Sequence, residues 1–209
     1  MRLYEVLTKQ HPNTRVSQKA LPRDRTPLNP NWRKVSRGTQ SDVYDPTNQP
    51  MDSGKWVTKM TNISGVEDAN YQFFRMCANH QDNPYFPKIK GLRVYPLQFG
   101  QSQKVINKYK MVVTIERLQP FSKPALKQFE QLMGYSFELF DFEMESSAWQ
   151  QGFKNAKFRA ELQRTITDPK LKQALRLMEP LFKHYQQDMH FGNIMTRQNG
   201  EIVFIDPIL

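Results

Sequence analysis

Residues Tyr109 to Ile115, YKMVVTI, form a nearly continuous apolar run, as expected for a strand covered on both faces. Such a strand needs partners, and the flanking sequence supplies them. Ile89 to Tyr95 reads as a second strand. Val43-Tyr44 and Trp56-Val57 are short β-type runs, separated by the turn residues Asp45-Pro46 and Ser53-Gly54. Between these runs and Ile89, Glu67 to Asn79 carries apolar residues at helical spacing: Ala69, Phe73, Met76 and Cys77, with Phe74 beside them. Asn83-Pro84 ends that element. Residues 35–118 therefore read as a small α+β lobe.

Ahead of it, Pro12, Pro22, Pro27 and Pro30 fall among Arg, Lys, Asn and Thr. Proline fixes φ and removes a donor, so residues 1–34 read as an extended arm. The net charge of +10 is front-loaded, with eleven basic and five acidic residues in the first sixty. That excess favours an anionic partner, and nucleic acid through the basic arm is one candidate. A solvated basic face with no specific partner explains the charge equally well.

Residues 119–209 are mostly helical. Ser122 is placed to cap a helix with Pro124 in its first turn and Leu126, Phe129, Leu132 and Met133 along one side. Residues 146–166 read as a weaker helix. Asp168-Pro169 is a good helix start, followed by a stripe of Leu171, Ala174, Leu175, Met178, Phe182 and Tyr185. Pro180 is expected to kink or split this helix. Asn199-Gly200 is a hairpin-turn signal between the apolar runs Ile194-Met195 and Ile202–Ile205.

The chemistry is concentrated in residues 186–209, QQDMHFGNIMTRQNGEIVFIDPIL. Asp188 is followed five residues later by Asn193 and thirteen residues after that by Asp206. A hairpin turning at Asn199-Gly200 brings Asn193 and Asp206 to the same open end. Two oxygen ligands there suit a hard cation that takes its other oxygens from phosphate and water. Asp188, on the loop ahead of the first strand, is free to accept a proton from an attacking hydroxyl.

This arrangement resembles the catalytic and metal-binding loops of the protein-kinase-like fold. His190-Phe191-Gly192-Asn193 is similar to the His-x-Gly-Asn of aminoglycoside-phosphotransferase-like kinases. Asp-Met-His-x-Gly-Asn-Ile-Met, with the Asn-Gly turn and Asp206-Pro207, resembles the early serine/threonine protein kinases of short-tailed, autographivirus-type bacteriophages most. The resemblance covers residues 35–209. It implies an α+β, two-lobed kinase-like fold, with an N-lobe at 35–118 and a reduced, truncated C-terminal lobe at 119–209. It further implies ATP and Mg²⁺ as cofactors, Asp188 as base, and Asn193 and Asp206 as metal ligands. Gly38, Ser41 and Val43 stand where a phosphate-covering hairpin belongs, and Lys59, after Trp56-Val57-Thr58, where a phosphate-holding lysine belongs. Glu67 is the candidate partner of Lys59, although the family carries that acid at mid-helix, where this chain has Tyr71, Gln72 and Arg75. Glu116, Arg117 and Leu118 would offer backbone groups to an adenine edge. The loop His80-x-x-Asn83-Pro84 also resembles the family. Its targets would be host bacterial proteins, in the host cytoplasm.

The departures are specific. The kinase His-Arg-Asp reads Gln186-Gln187-Asp188, and Asp-Phe-Gly reads Asp206-Pro207-Ile208. Only three residues follow Asp206, so an activation segment and the later substrate-binding helices are not expected. A catalytically inactive kinase-like protein that binds and inhibits a host protein is thus the alternative, and a small-molecule phosphotransferase a further one. His190 is expected to shape its loop, not to catalyse. His11, His80 and His184 lack ligand spacing. Asp141, Glu143 and Glu145 read as a solvated edge strand or loop, in preference to a cation site. The lone Cys77 excludes a disulfide framework and fits a reducing compartment. No apolar run reaches the roughly 18 residues of a membrane span.

Overall fold

The computed structural model describes residues 14–16, 21–22, 32–37, 41–45, 54–98, 109–136 and 142–209. Gly38, Pro46, Ser53, Asp141 and the arm prolines 12, 27 and 30 lie outside them. The described residues form a mixed α+β structure with five α-helices and two sheets. The chain divides into two compact units, Met1–Asn79 with Lys88–Arg117, and His80–Pro87 with Leu118–Leu209.

The first unit is built on a seven-stranded sheet. Its strands are β1 (Thr14–Val16), β2 (Leu21–Pro22), β3 (Arg33–Arg37), β4 (Ser41–Asp45), β5 (Trp56–Ile63), β6 (Ile89–Gln98) and β7 (Tyr109–Glu116). The order is β1-β6-β7-β5-β4-β3, with β2 also on β6. β3 to β7 pair antiparallel, while β1 and β2 run parallel to β6. The arm thus contributes two short strands, and Pro22 ends the second of them.

Here β7 corrects one expectation. Met111, Val113 and Ile115 are buried, but the residues alternating with them are only half-buried. The strand covered on both faces is β5, where Val57, Thr58, Lys59, Met60 and Thr61 are all buried. Thr58 and Thr114, directly opposite in register, place their hydroxyl oxygens 3.2 Å apart. The helix α1 (Ala69–Asn79) buries Tyr71, Phe73, Phe74 and Cys77. Asp68 caps it: its Oδ1 accepts from the Asn70 N–H and its carbonyl from the Gln72 N–H.

The second unit holds α2 (Lys123–Met133), α3 (Phe142–Lys154), α4 (Ala156–Thr165) and α5 (Pro169–His184). A three-stranded antiparallel sheet, β10-β9-β8, joins β8 (Gln119–Pro120), β9 (Ile194–Thr196) and β10 (Ile202–Phe204). Ser122 sits at the cap position of α2, but its hydroxyl makes no capping bond. Gly134 closes that helix at φ 61°, a left-handed conformation that suits glycine.

The single weak helix expected over 146–166 is two helices. Asn155 breaks it and caps the second by accepting from the Lys157 N–H. Glu143 and Glu145, expected on a strand or loop, lie in the first turn of α3. Pro180 does not split its helix: α5 runs through it to His184. Proline forfeits one i→i−4 bond, but burial of Leu175, Met178 and Phe182 on either side keeps the helix continuous.

An aromatic cluster fills the core of this unit. Trp149 lies 5.0 Å from Phe129, 5.4 Å from Phe153 and 5.7 Å from Phe158, centroid to centroid. Buried Arg159 crosses it, forked onto Glu179 through Nε (3.1 Å) and Nη2 (3.2 Å) and donating to the Phe153 carbonyl at 2.8 Å. The segment 80–87 is tied in by side chains. Asn83 donates to the Lys170 carbonyl, and Arg197 donates to the carbonyls of Pro84 and Phe86.

Candidate functional site

The loop from Asp188 to Asn193 is held at several points within the second unit. Phe191 is buried against Phe121 (5.1 Å) and Phe129 (6.2 Å), so the aromatic core anchors the loop from beneath. Residues 191–193 form one 3₁₀ turn, closed by the Asn193 N–H on the His190 carbonyl at 2.9 Å. His190 Nδ1 accepts from the Gly192 N–H at 3.0 Å. In the neutral ring the proton is then on Nε2, which stands 3.6 Å from Asp188 Oδ2. A Cβ on Gly192 would lie 2.6 Å from His190 Cε1, so this contact requires glycine. His190 therefore shapes the loop.

After the loop, β9 and β10 pair as a hairpin with Ile194 opposite Phe204 and Thr196 opposite Ile202. The Gly200 N–H bonds to the Arg197 carbonyl, and Gly200 adopts φ 87°, the conformation for which Asn199-Gly200 is suited. The Ile205 N–H donates to the Asn193 carbonyl at 3.0 Å, so Asn193 and Asp206 stand at the open end. Residues 207–209 then run antiparallel to 186–188. The Asp188 N–H bonds to the Pro207 carbonyl and the Leu209 N–H to the Gln186 carbonyl, each at 2.8 Å. Proline has no N–H, yet its carbonyl serves here. These backbone bonds bring Asp188, Asn193 and Asp206 into one neighbourhood.

The Asn193 side chain fixes its own orientation. Its Nδ2 donates to the Asp188 carbonyl at 2.6 Å and to Asp188 Oδ2 at 2.9 Å. Both are acceptors only, so the amide nitrogen must face them and Oδ1 is turned away. Asn193 thus keeps its amide oxygen off Asp188, at the end of the hairpin where Asp206 also stands. Among the described residues no group of three or more His, Cys, Asp or Glu is placed to hold a metal. A cation held at this end would have to take most of its oxygens from phosphate and water.

Two side chains at this site escaped sequence reading. Gln150 of α3 donates from Nε2 to Asp188 Oδ1 at 2.9 Å. Ser146, one turn earlier, accepts the Phe191 N–H on Oγ at 2.8 Å. The only signal available was their i, i+4 spacing beside the apolar pair Trp149 and Phe153. Nothing in that spacing names the loop they reach.

In the first unit, Val43 lies opposite Lys59 and Ser41 opposite Thr61 across β4 and β5. Residues opposite in register share a face, so Ser41, Val43 and Lys59 are grouped. Lys59 is 4% exposed, and its Nζ lies over the Phe74 ring at 5.3 Å from the centroid. Glu67 is exposed in the turn before α1, and Asp68 is committed to capping. Glu116 donates its N–H to the Lys88 carbonyl and accepts the Lys88 N–H on Oε1. The Arg117 N–H bonds to the Lys55 carbonyl, and its guanidinium pairs with Asp45 at 2.6 Å. The backbone donors of Glu116 and Arg117 are thus engaged internally. Leu118 is half-buried and begins the second unit.

Compared with known proteins, the chain matches no family model and no curated protein.

Proposed function

We propose that the protein is an ATP- and Mg²⁺-dependent phosphotransferase of the protein-kinase-like, two-lobed fold, acting on Ser/Thr of host bacterial proteins during phage infection. The observation that carries this reading is the pair of hydrogen bonds from the Asn193 amide to Asp188. It orients a carboxylate as a base and turns an amide oxygen outward at the same time. In this reading Asp188 accepts the proton of the attacking hydroxyl. Asn193 Oδ1 and Asp206 would hold the cation, which neutralises phosphate charge when bound. Lys59 would hold the nucleotide phosphates, with Ser41 and Val43 beside it. The target class and the phage setting rest on the motif resemblance over residues 188–207.

A second reading, a kinase-like protein that binds its target without chemistry, is favoured by one observation. Of the backbone groups of Glu116, Arg117 and Leu118 expected at an adenine edge, the Glu116 and Arg117 N–H groups already donate within the first unit.

Incubation with γ-labelled ATP, Mg²⁺ and bacterial lysate separates the two. The phosphotransferase labels proteins, and Asp188→Asn does not, while both retain the same circular dichroism. Failure of both proteins to label the lysate, or equal labelling by both, overturns the proposal.

A further inference from the structure

We propose that Gln150 is a positioning residue for Asp188 and that, with Ser146, it makes α3 the brace of the catalytic loop. This rests on the phosphotransferase reading above. Asp188 is held from two sides. Asn193 takes Oδ2 from within the loop, and Gln150 takes Oδ1 from a helix outside it, both at 2.9 Å. A carboxylate fixed at one oxygen still swings about its χ angles; fixed at both, it has one orientation, with one lone pair on each oxygen left for a substrate proton.

Three features make α3 a brace rather than a chance neighbour. Ser146 and Gln150 are one turn apart, so they lie on one helix face. They hold different atoms of one loop, the backbone at Phe191 and the side chain at Asp188. The helix itself is immobilised by Trp149 and Phe153, each 1% exposed in the aromatic core. A glutamine suits this task because it donates without adding charge. A lysine here would neutralise the base, and a glutamate would repel it.

The test measures kcat and KM for ATP with wild type, Gln150→Met, Ser146→Ala and the double variant. Gln150→Met keeps the side-chain length and removes the donor. Losing a hydrogen bond to a charged group lowers kcat about ten- to a hundredfold, with KM for ATP within about twofold. The double variant loses less than the product of the single losses, because both act on one loop. An unchanged or raised kcat in Gln150→Met, or a change in KM alone, overturns the proposal. Amide hydrogen exchange is read in parallel. In Gln150→Met, residues 188–193 exchange about tenfold faster while α5 is unchanged. Unchanged exchange at 188–193, or equal acceleration in α5, overturns the brace. A wild type that transfers no phosphate sinks the phosphotransferase reading, and the exchange result alone then decides the brace.

Discussion

The Tyr85 hydroxyl donates to Asp168 Oδ2 at 2.9 Å, while Oδ1 of the same carboxylate accepts the N–H groups of Lys170 and Leu171. One carboxylate therefore caps α5 and pins the segment 80–87, across 83 positions of sequence. Tyr85→Phe leaves the cap intact and removes one charge-assisted bond, for a loss of about 1–2 kcal/mol. Asp168→Ala removes the cap and strands the phenol, for about 2–3 kcal/mol. Urea midpoints at constant m measure both, and Asp168→Ala must fall further.

Tyr71 gives the opposite sign for the same change. It is fully buried in α1, and its hydroxyl has no hydrogen-bond partner among the described residues. Tyr71→Phe removes a desolvated polar group, so stability stays level or rises by up to about 1 kcal/mol. A fall of 1 kcal/mol or more contradicts this account.

Alkaline pH tests both phenols together. Burial holds the Tyr85 phenol above its ordinary range, aided by Asp168, and burial raises Tyr71 against an opposing Arg75. A raised folded pKa means that the unfolded chain loses its protons first. The stabilisation is complete below about pH 10 and is lost as pH rises toward the folded values. Unfolding free energy should fall above about pH 10 in the wild type. The Tyr71→Phe/Tyr85→Phe double variant should fall less steeply, and identical slopes would refute the assignment.

Gly192→Ala probes the loop geometry. The added Cβ meets His190 Cε1 and Nδ1 at 2.6 and 2.8 Å, so the imidazole must swing out and release the Gly192 N–H. A cost of about 1–2 kcal/mol follows, with loss of lysate labelling. His190→Ala/Gly192→Ala removes the clash and recovers part of the stability. Additive losses would show that the ring contact is not the cause.

Arg159→Ala leaves Glu179 without its fork and the Phe153 and Lys154 carbonyls without a donor. The Glu179 side chain is 34% exposed and rehydrates in part, so the loss is about 2–3 kcal/mol, less than for a fully buried pair. Arg159→Lys keeps the charge but not the fork and falls between. Thermal denaturation of the three proteins gives the order.

Much of this architecture was legible because local rules and burial agree. Asp168-Pro169 starts a helix, Gly200 turns a hairpin, and that turn brings Asn193 and Asp206 to one end, while the pairing of 186–188 with 207–209 adds Asp188. What was illegible depended on partners distant in sequence. YKMVVTI is no more apolar than a doubly covered strand, yet the buried face alternates and β5 takes the doubly covered place. Pro180 does not split α5, which the buried Met178 and Phe182 carry through. Gln150 looks like any solvated glutamine until Asp188 is placed 38 residues on.

The chain leaves the first unit after Asn79, returns at Lys88 and leaves again after Arg117. A fragment starting at Leu118 would therefore be an incomplete folding module. Arg197 would lose the two carbonyls it holds, Asp168 its phenol and the Phe204 N–H its acceptor on Tyr85. Truncation mapping by serial deletion would misreport this protein as having no autonomous C-terminal part. A permuted gene that appends residues 80–87 through a linker would test for one.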